Sequence, residues 1–389
     1  MVLYILFFRH SRIYIWRNSE DLVSVTVYNF AFILALPVGF FINGKLLKYF
    51  KITYLYLIGC VTMALGLYAL IHFSRNTLGF YSLFGLIQGF GGALYWANRN
   101  FLTLQETKSD NRNYFVGINA TIDTITSIII PPLVGWIIVF GSEKSLYTHT
   151  QAYLGLGVAA VLFMTVAGGV VTNRKFHTPR PQNIFLGKTT PAWRGIRLME
   201  LGGGIGSGVS WILPTILIFT AFGNEQTFGI IAAAIAILTA ISSYIYGRIA
   251  RQRHRIPVLF FSLMLSILAS LVLLTLPSPY NYLAFTTLLS LYWTFVWLAW
   301  DPLALDVINT EQRITRSSQY SFVFDRELFL NVGRSIGIVI LLVFASKFSS
   351  SQILFVPAIV YTLHAIVVII ALNLVTNNHT THRQGGVNK

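Results

Sequence analysis

Two apolar segments of the chain carry charged and amide side chains that could bind or move a solute. In segment 321–345 these are Glu327, Asn331 and Arg334. A helix turns about 100° per residue, so the three side chains lie within about 60° of one another and form one polar stripe. The carboxylate could take up a proton, and the guanidinium could bind an anion or act as a counter-ion. A structural Glu327–Arg334 pair that fixes helix packing is the alternative interpretation.

Segment 114–140 repeats this spacing with Asn119, Asp123 and Thr126. Positions i, i+4 and i+7 share one face of a helix, and Asp123 falls near the middle of the segment. A carboxylate at that depth is costly in a bilayer and normally faces protein or water. We therefore predict that Asp123, like Glu327, is a candidate for proton uptake.

Two further polar residues are candidates for coupling or for substrate contact. Gln88 lies in the middle of segment 78–97, beside several glycines, and could line a cavity. Glu200 opens segment 196–221, whose many glycines permit close backbone approach and suit a cavity-lining helix that bends. No strand precedes this glycine run and it lacks the lysine of a phosphate-binding loop, so it does not predict a nucleotide site.

The composition places these residues in a membrane protein. Of 389 residues, 55% are hydrophobic and 11% charged, and the mean hydropathy is +0.66. The excess of 28 Lys and Arg over 13 Asp and Glu sits between apolar blocks, which indicates a lipid bilayer rather than a nucleic-acid partner. Cys60 is the single cysteine and the histidines are scattered, so we expect no disulfide, no metal and no cofactor. Hydrolytic motifs are also missing, and we predict no enzyme activity.

Eleven blocks are long and apolar enough to cross a hydrocarbon core of roughly 30 Å. They are 22–42, 52–73, 78–97, 114–140, 151–171, 196–221, 227–247, 256–276, 282–300, 321–345 and 352–375. Twenty Lys and Arg fall in alternate loops and the tail, against three in the intervening loops. By the positive-inside rule the first set is cytoplasmic, which predicts a multi-pass plasma-membrane protein with a cytoplasmic C-terminus. Asp325 and Arg326 are then read as interfacial anchors, and Trp96 and Trp300 as members of the aromatic belt.

Residues 1–16 are short for a span and carry Arg9, His10 and Arg12. Because block 22–42 must begin outside to end inside, an even number of helices requires residues 1–16 to cross as well. We predict that they form the distal part of a first helix, short or truncated by a start codon placed too late. Eleven spans with the N-terminus outside is the alternative.

An internal repeat relates the two halves of the chain. Gly44-Lys45-Leu46-Leu47-Lys48 and Gly247-Arg248-Ile249-Ala250-Arg251 share one pattern 203 residues apart, and both close a helix at a cytoplasmic loop. The same shift superposes 78–97 on 282–300, which end in aromatic clusters before Asn98 and Asp301. We predict an N-terminal bundle (1–171), a basic linker (172–195), a C-terminal bundle (196–376) and a cytoplasmic tail (377–389). The two polar stripes occupy corresponding places and could face a shared cavity.

Two six-helix halves, a long central loop and a glycine and basic turn after helices two and eight resemble the major facilitator superfamily. In that family the loop after helix two reads Gly, three residues, Asp, Arg, one residue, Gly and then basic residues. Gly39, Asn43 and Lys48 match this motif here, whereas Gly44 stands where Arg is usual and Leu46 where the second Gly is usual. The segments YWANRN and DRELFLNVGR are similar to the YqgE-like branch of bacterial transporters. The resemblance implies an all-α fold of two pseudo-twofold-related bundles, with gating loops around Lys45, Lys48, Arg248 and Arg251.

The functional prediction is a monomeric secondary transporter that moves a small molecule by alternating access. The buried carboxylates favour proton coupling, with sodium as the alternative, and no cytoplasmic segment is long enough to fold an ATP-binding domain. A receptor or assembly partner derived from a transporter fold is a second hypothesis, which binding without flux would favour. A membrane-embedded enzyme is a third.

Overall fold

The computed structural model describes the backbone of residues 2–73, 75–106, 109–181, 183–249, 252–275, 277–315 and 317–384. Within these ranges, side chains are not described at 2–10, 104–106, 109–117, 119–120, 252, 306, 309, 313, 350 and 376–384. Among the described residues the regular elements are helices, and no strand occurs. This confirms the all-α fold class.

Fourteen helices follow one another along the described chain. They are α1 (Val2–Ser19), α2 (Leu22–Leu46), α3 (Ile52–Phe73), α4 (Leu78–Glu106), α5 (Ser109–Glu143), α6 (His149–Thr172), α7 (Pro191–Ser210), α8 (Leu213–Phe222), α9 (Glu225–Ile249), α10 (Arg255–Thr275), α11 (Pro279–Thr315), α12 (Gln319–Lys347), α13 (Ser350–Ile353) and α14 (Val356–Gln384). A 3₁₀ turn, Gln252–His254, precedes α10.

Side-chain caps fix where several helices begin. Asp21 accepts hydrogen bonds from the backbone N–H groups of Val23 and Ser24, both at 3.0 Å, at the start of α2. Thr148 begins α6 in a capping box, and Thr190 caps α7 ahead of a proline at its first position. These short polar side chains satisfy N–H groups that have no partner within the helix.

Ten helical stretches in the described part of the chain are long and apolar enough to cross a membrane. They are α2, α3, the 121–143 part of α5, α6, α7 with α8, α9, α10, most of α11, α12, and 351–375, which covers most of α14. α4 is not among them, since glycine, tyrosine and Gln88 dilute its aliphatic residues. The number and length of these helices are those of a multi-pass membrane protein.

The helix bounds follow the repeat in the sequence. Moving α2 forward by 203 residues gives 225–249, which are the bounds of α9. Moving α3 by the same amount gives 255–276, within one residue of α10. Two successive helices and the loop between them therefore recur with one spacing, as expected of a duplicated bundle.

The membrane-spanning stretch formed by α7 and α8 is broken between these two helices. Pro214 has no N–H group to donate to the carbonyl of Ser210, so the helical ladder is interrupted there and restarts at Leu213. The glycine run from Gly202 to Gly208 stays helical within α7. Proline rather than glycine therefore sets the position of the break.

The helices group into two compact units, each with its own packing. Unit 1 comprises 1–180, 212–245 and 278–287, and unit 2 comprises 181–211, 246–277 and 288–389. In unit 1, α2 and α3 pack on α4, and α3 packs on α6. In unit 2, α7 packs on α12 and α14. The division of the chain at a 172–195 linker stays a prediction.

α1 and α8 end at corresponding positions of the repeat, and each is followed by a residue in the left-handed region. These residues are Glu20 (φ 49°) and Gly223 (φ 76°). A Cβ at Gly223 would meet nothing within 4 Å, so Gly223→Ala adds backbone strain alone. We expect it to lower the free energy of unfolding by about 1–2 kcal/mol, measured by thermal unfolding of the purified protein. Gly79→Ala, also in open space but with no positive φ, is the control, and an equal loss there would contradict the explanation.

Candidate functional site

The guanidinium of Arg334 is the centre of a polar site within unit 2. Its Nε donates to Ser207 Oγ at 3.3 Å and its Nη1 to Asn331 Oδ1 at 3.0 Å. Its charged group also lies 4.2 Å from the ring centroid of Trp211, in the geometry of a cation–π contact. Arg334 is 8% exposed, and three neighbours on α7, α12 and the α7–α8 junction fix its orientation.

Asn331 lies between Arg334 and Glu327. Its Nδ2 donates to the carbonyl of Glu327 at 2.7 Å and to Oε2 of the same residue at 3.4 Å. Its side-chain oxygen accepts from Arg334, and Glu327 lies within electrostatic range of that guanidinium. The structure thus brings together the predicted stripe of Glu327, Asn331 and Arg334.

Glycines bring the backbones of α7 and α12 together beside this stripe. A Cβ at Gly204 would lie 2.2 Å from the carbonyl oxygen of Leu330, and one at Gly208 2.5 Å from that of Arg334. From the other side, a Cβ at Gly333 would lie 2.1 Å from the carbonyl oxygen of Leu201. The predicted close backbone approach at the glycine run is therefore confirmed, and α12 is the partner helix.

Glu200 is buried and lies in an ion-pair network of unit 2. Its Oε1 accepts from Arg326 Nε at 2.7 Å and from Trp300 Nε1 at 3.2 Å. The Nη2 of Arg326 lies 2.6 Å from the same oxygen and 3.2 Å from Asp301 Oδ1. The guanidinium of Arg326 on α12 therefore forms ion pairs with two carboxylates, one on α7 and one on α11.

One of the two predicted interfacial anchors, Asp325, is wrong. Asp325 is 6% exposed and accepts from Arg197 Nε at 2.7 Å, Arg197 Nη2 at 2.9 Å and Trp193 Nε1 at 2.8 Å. Arg326 pairs with the buried Glu200, and its assignment as an interfacial anchor stays a prediction. The helical period correctly places Asp325 on another face than Glu327, but that face packs on α7.

The assignment of Trp300 to an aromatic belt is also wrong. Trp300 is 2% exposed and donates to Glu200, so it is a buried hydrogen-bond donor. Nothing in the sequence indicates the Tyr292–His364 pair, in which the Tyr292 hydroxyl oxygen and His364 Nε2 are 2.6 Å apart. Aromatic residues that would suit a membrane interface instead build the interior of unit 2.

A second polar cluster lies in unit 1, around Gln88. Tyr28 donates from its hydroxyl to Gln88 Oε1 at 2.8 Å, and Gln88 is 3% exposed. Nearby on α1, Arg12 is 4% exposed and donates from Nε to Asn29 Oδ1 at 2.9 Å. The sequence indicated Gln88 but not Arg12, which is a buried cation of the first helix.

Asp123 is half-buried in α5 and lies within electrostatic range of Arg99. Thr126, one turn further along the stripe, bonds back to the carbonyl of Ile122 at 2.7 Å. The side chain of Asn119 lies outside the described residues. The role predicted for Asp123 stays a prediction.

A buried contact lies beside the predicted gating loop after α2. Asn43 and Asn98 exchange side-chain hydrogen bonds of 3.1 and 2.8 Å and are both fully buried, joining the end of α2 to α4. A Cβ at Gly39 would lie 2.4 Å from Ala93 Cβ, so these helices approach closely here. Of the other predicted residues, Gly44 is buried, and Lys45, Lys48, Gly247 and Arg248 are exposed. Arg251 lies outside the described residues.

An ion pair in unit 1 was not predicted from the sequence. Arg17, at the end of α1, pairs through Nη1 with Glu225 Oε1, which also accepts from the Tyr153 hydroxyl at 3.1 Å. Cavities of about 500 and 250 Å³ flank the pair, and both are lined by Arg17 and Gly223. The partners are far apart in the chain, and nothing in either segment indicates the other.

Ten apolar helical stretches in the described part of the chain, with ion pairs buried among them, define a multi-pass membrane protein. The model of the Major Facilitator Superfamily matches residues 18–325. The chain belongs to this superfamily and is a membrane transporter. The resemblance stated from the sequence is confirmed.

Two relatives and one solved structure are similar to this chain. The chain is 21% identical over 336 residues to the uncharacterized protein YqgE of Bacillus subtilis (strain 168), covering 84% of this chain and 76% of the relative. It is 25% identical over 126 residues to an uncharacterized protein in the sodM 3′ region of Geobacillus stearothermophilus, covering 32% and 59%. A crystal structure of a mutant of the nucleoside transporter NupG has a TM-score of 0.60 at 16% identity, covering 96% and 98%. At that identity the likeness shows the fold alone.

Proposed function

We propose that this chain is a monomeric secondary transporter that moves a small molecule across the plasma membrane by alternating access, driven by the proton gradient. Its C-terminus lies in the cytoplasm in this proposal, as the distribution of Lys and Arg predicts. The substrate contact is assigned to Arg334, held by Asn331, and the carboxylates Glu327 and Asp123 are candidates for proton uptake.

The observation that carries the proposal is the buried, oriented guanidinium of Arg334. Ionisable groups in a bilayer are costly and, where present, tend to mark substrate or ion pathways. Here Asn331 and Ser207 fix two edges of the guanidinium and Trp211 covers a face. Such a fixed, planar donor is suited to recognise a carboxylate or phosphate group through paired hydrogen bonds.

Transport by purified protein in proteoliposomes tests the proposal, once a thermal-shift screen of metabolites, including nucleosides and organic anions, has selected candidates. We expect a pH gradient to drive flux in the unmodified protein. Arg334→Ala should lower flux at least tenfold, and Arg334→Lys should restore little of it, because an ammonium cannot stack on Trp211 or form the same paired bonds. Asp123→Asn and Glu327→Gln are expected to weaken the response to the gradient.

Glu143→Gln, which alters an exposed carboxylate at the end of α5, is the control and should leave flux unchanged. Flux that is insensitive to Arg334→Ala, Asp123→Asn and Glu327→Gln would reject these assignments and favour the structural Glu327–Arg334 pair. Tight binding of a screened compound without any flux would instead favour a receptor.

A further inference from the structure

Two tryptophans on α11 form an ordered aromatic surface in unit 2. The ring of Trp297 is stacked on that of Trp293, with the centroids 6.1 Å apart and the planes at 27°. Trp293 is held in place because its Nε1 donates to Ser210 Oγ of α7 at 2.7 Å. Trp297 is nevertheless 38% exposed, so one indole of this surface is accessible to a further ring.

Contacts around Trp297 show that its exposed surface faces the interior of unit 2. At about 100° per residue, Trp297 lies on the helix surface between Trp300 and Asp301, within about 60° of each. Trp300 is hydrogen-bonded to α7 and Asp301 to α12. The opposite face of α11 carries Phe295, whose ring packs on rings of α9 and α10. Trp297 is therefore directed towards α7 and α12 rather than towards lipid.

The part of α7 that lies opposite this surface is made of glycine. A Cβ at Gly206 would lie 3.6 Å from Trp293 Cζ2, and one at Gly203 would lie 3.9 Å from Trp300 Cη2. Trp297 lies between these two tryptophans along α11. Glycine has no side chain to fill the space between the helices here, which leaves room for a flat group beside Trp297.

The guanidinium of Arg334 lies at the depth of the aromatic surface. α11 and α12 follow one another across a short connection and run antiparallel, and Asp301 and Arg326 pair between them. Trp293 lies eight residues before Asp301, and Arg334 lies eight residues after Arg326. At 1.5 Å per residue, both are about 12 Å from that pair, and Trp297 is about 6 Å from it.

One turn of α7 confirms this placement, because it contacts both the arginine and the tryptophan. Ser207 and Trp211 contact Arg334, and Ser210 accepts from Trp293. The cation and the aromatic surface are thus held on the same frame within unit 2.

We propose that the transported solute is an aromatic anion, whose flat ring packs on Trp297 and whose anionic group binds Arg334. This inference rests on the proposed transport function and names the class of substrate. An aromatic pair gains attraction beyond the burial of its area, and a guanidinium binds carboxylate or phosphate oxygens through paired hydrogen bonds.

The charges on α12 favour an anion over a cation at this depth. Glu327 lies within electrostatic range of Arg334, but it is next to Arg326 in the chain and about 10 Å below Arg334 along the helix. Both hydrogen bonds of Arg334 described above are accepted by neutral oxygens. A cationic aromatic solute drawn to Glu327 is the competing class, and the test includes it.

Isothermal titration calorimetry of the full-length protein in lipid nanodiscs, with empty nanodiscs as the reference, tests the substrate class without any flux. The probes are naphthoate, its fully saturated analogue, naphthamide and naphthylmethylammonium. We expect naphthoate to bind about three- to tenfold more tightly than the saturated analogue, because only a flat ring stacks on an indole. It should bind at least about tenfold more tightly than naphthamide, because only naphthoate carries a negative charge for Arg334.

Variants assign the two parts of the site. Trp297→Leu should weaken naphthoate about tenfold and bring it level with the saturated analogue, whereas Trp297→Phe should keep most of the affinity. Arg334→Ala should remove the preference for naphthoate over naphthamide. Trp136→Leu is the matched control and should change nothing, since it replaces an exposed indole of α5 in unit 1 that is likewise stacked on an aromatic ring.

Absence of naphthoate binding, equal affinity for the saturated analogue, or unchanged affinity in Trp297→Leu would overturn the proposal. Tighter binding of naphthylmethylammonium would overturn it in favour of a cation at Glu327. If Arg334→Ala does not fold, the probe series and Trp297→Leu decide, since the latter changes an exposed side chain. Binding without flux in proteoliposomes would reject transport and leave this site standing, whereas gradient-driven flux of a solute without an aromatic ring, with no naphthoate binding, would reject the substrate class alone.

Discussion

Gly204→Ala is expected to lose at least about 3 kcal/mol of stability and to yield little folded protein. The added methyl group would lie 2.2 Å from the carbonyl oxygen of Leu330 and 2.8 Å from the backbone nitrogen of Arg334. Both are backbone atoms of α12 that cannot rotate away, so α7 and α12 would have to separate along their length. Thermal unfolding followed by tryptophan fluorescence, with the monodisperse fraction in detergent, measures the effect.

The neighbouring glycine is the matched control. A Cβ at Gly203 would meet only the Cη2 atom of Trp300, at the ordinary distance of 3.9 Å. Gly203→Ala should therefore be neutral or should stabilise α7 by up to about 1 kcal/mol, because alanine favours a helix more than glycine does. Equal behaviour of the two variants would show that the α7–α12 contact is not as close as the structure has it.

The helices could be predicted from the sequence because hydropathy and charge act locally. Apolar length gives the spans and the repeat gives their spacing, so that α2 and α9 correspond residue for residue. The glycine run at Gly202–Gly208 predicts close approach, since small side chains allow backbones to meet. The glycine run does not indicate its partner helix, because Gly333 and Gly337 of α12 come to lie against α7 only in the folded protein.

The polar partners of the site were harder to predict, because they lie on other helices and meet only after folding. The helical period puts Glu327, Asn331 and Arg334 on one face and Asp325 on another, as the structure shows. Which residue faces Asp325 depends on α7, more than a hundred residues away, and a single sequence carries no record of that pairing. Buried charge was therefore mistaken for interfacial charge where its partner could not be seen.

Asp325→Ala is expected to cost about 3–5 kcal/mol, because it leaves the guanidinium of Arg197 without its carboxylate in a mostly buried site. The side chains of Arg197 and Asp325 are 23% and 9% exposed, and two hydrogen bonds join them. The indole N–H of Trp193, at 2.8 Å, loses its acceptor as well. Asp301→Ala, which removes a carboxylate 51% exposed and 3.2 Å from Arg326, should cost less than about 1 kcal/mol.

The double variant Arg197→Leu with Asp325→Leu separates two contributions to stability: the cost of leaving one buried charge unpaired, and the stabilisation that the ion pair itself provides. When both charges are removed, no ion stays unpaired in a low-dielectric site, and apolar side chains replace the pair next to Phe329. We expect the double variant to be at least about 2 kcal/mol more stable than Asp325→Ala, with a residual loss of about 1 kcal/mol from the unsatisfied indole. A double variant as unstable as the single one would show that the pair itself holds α7 on α12.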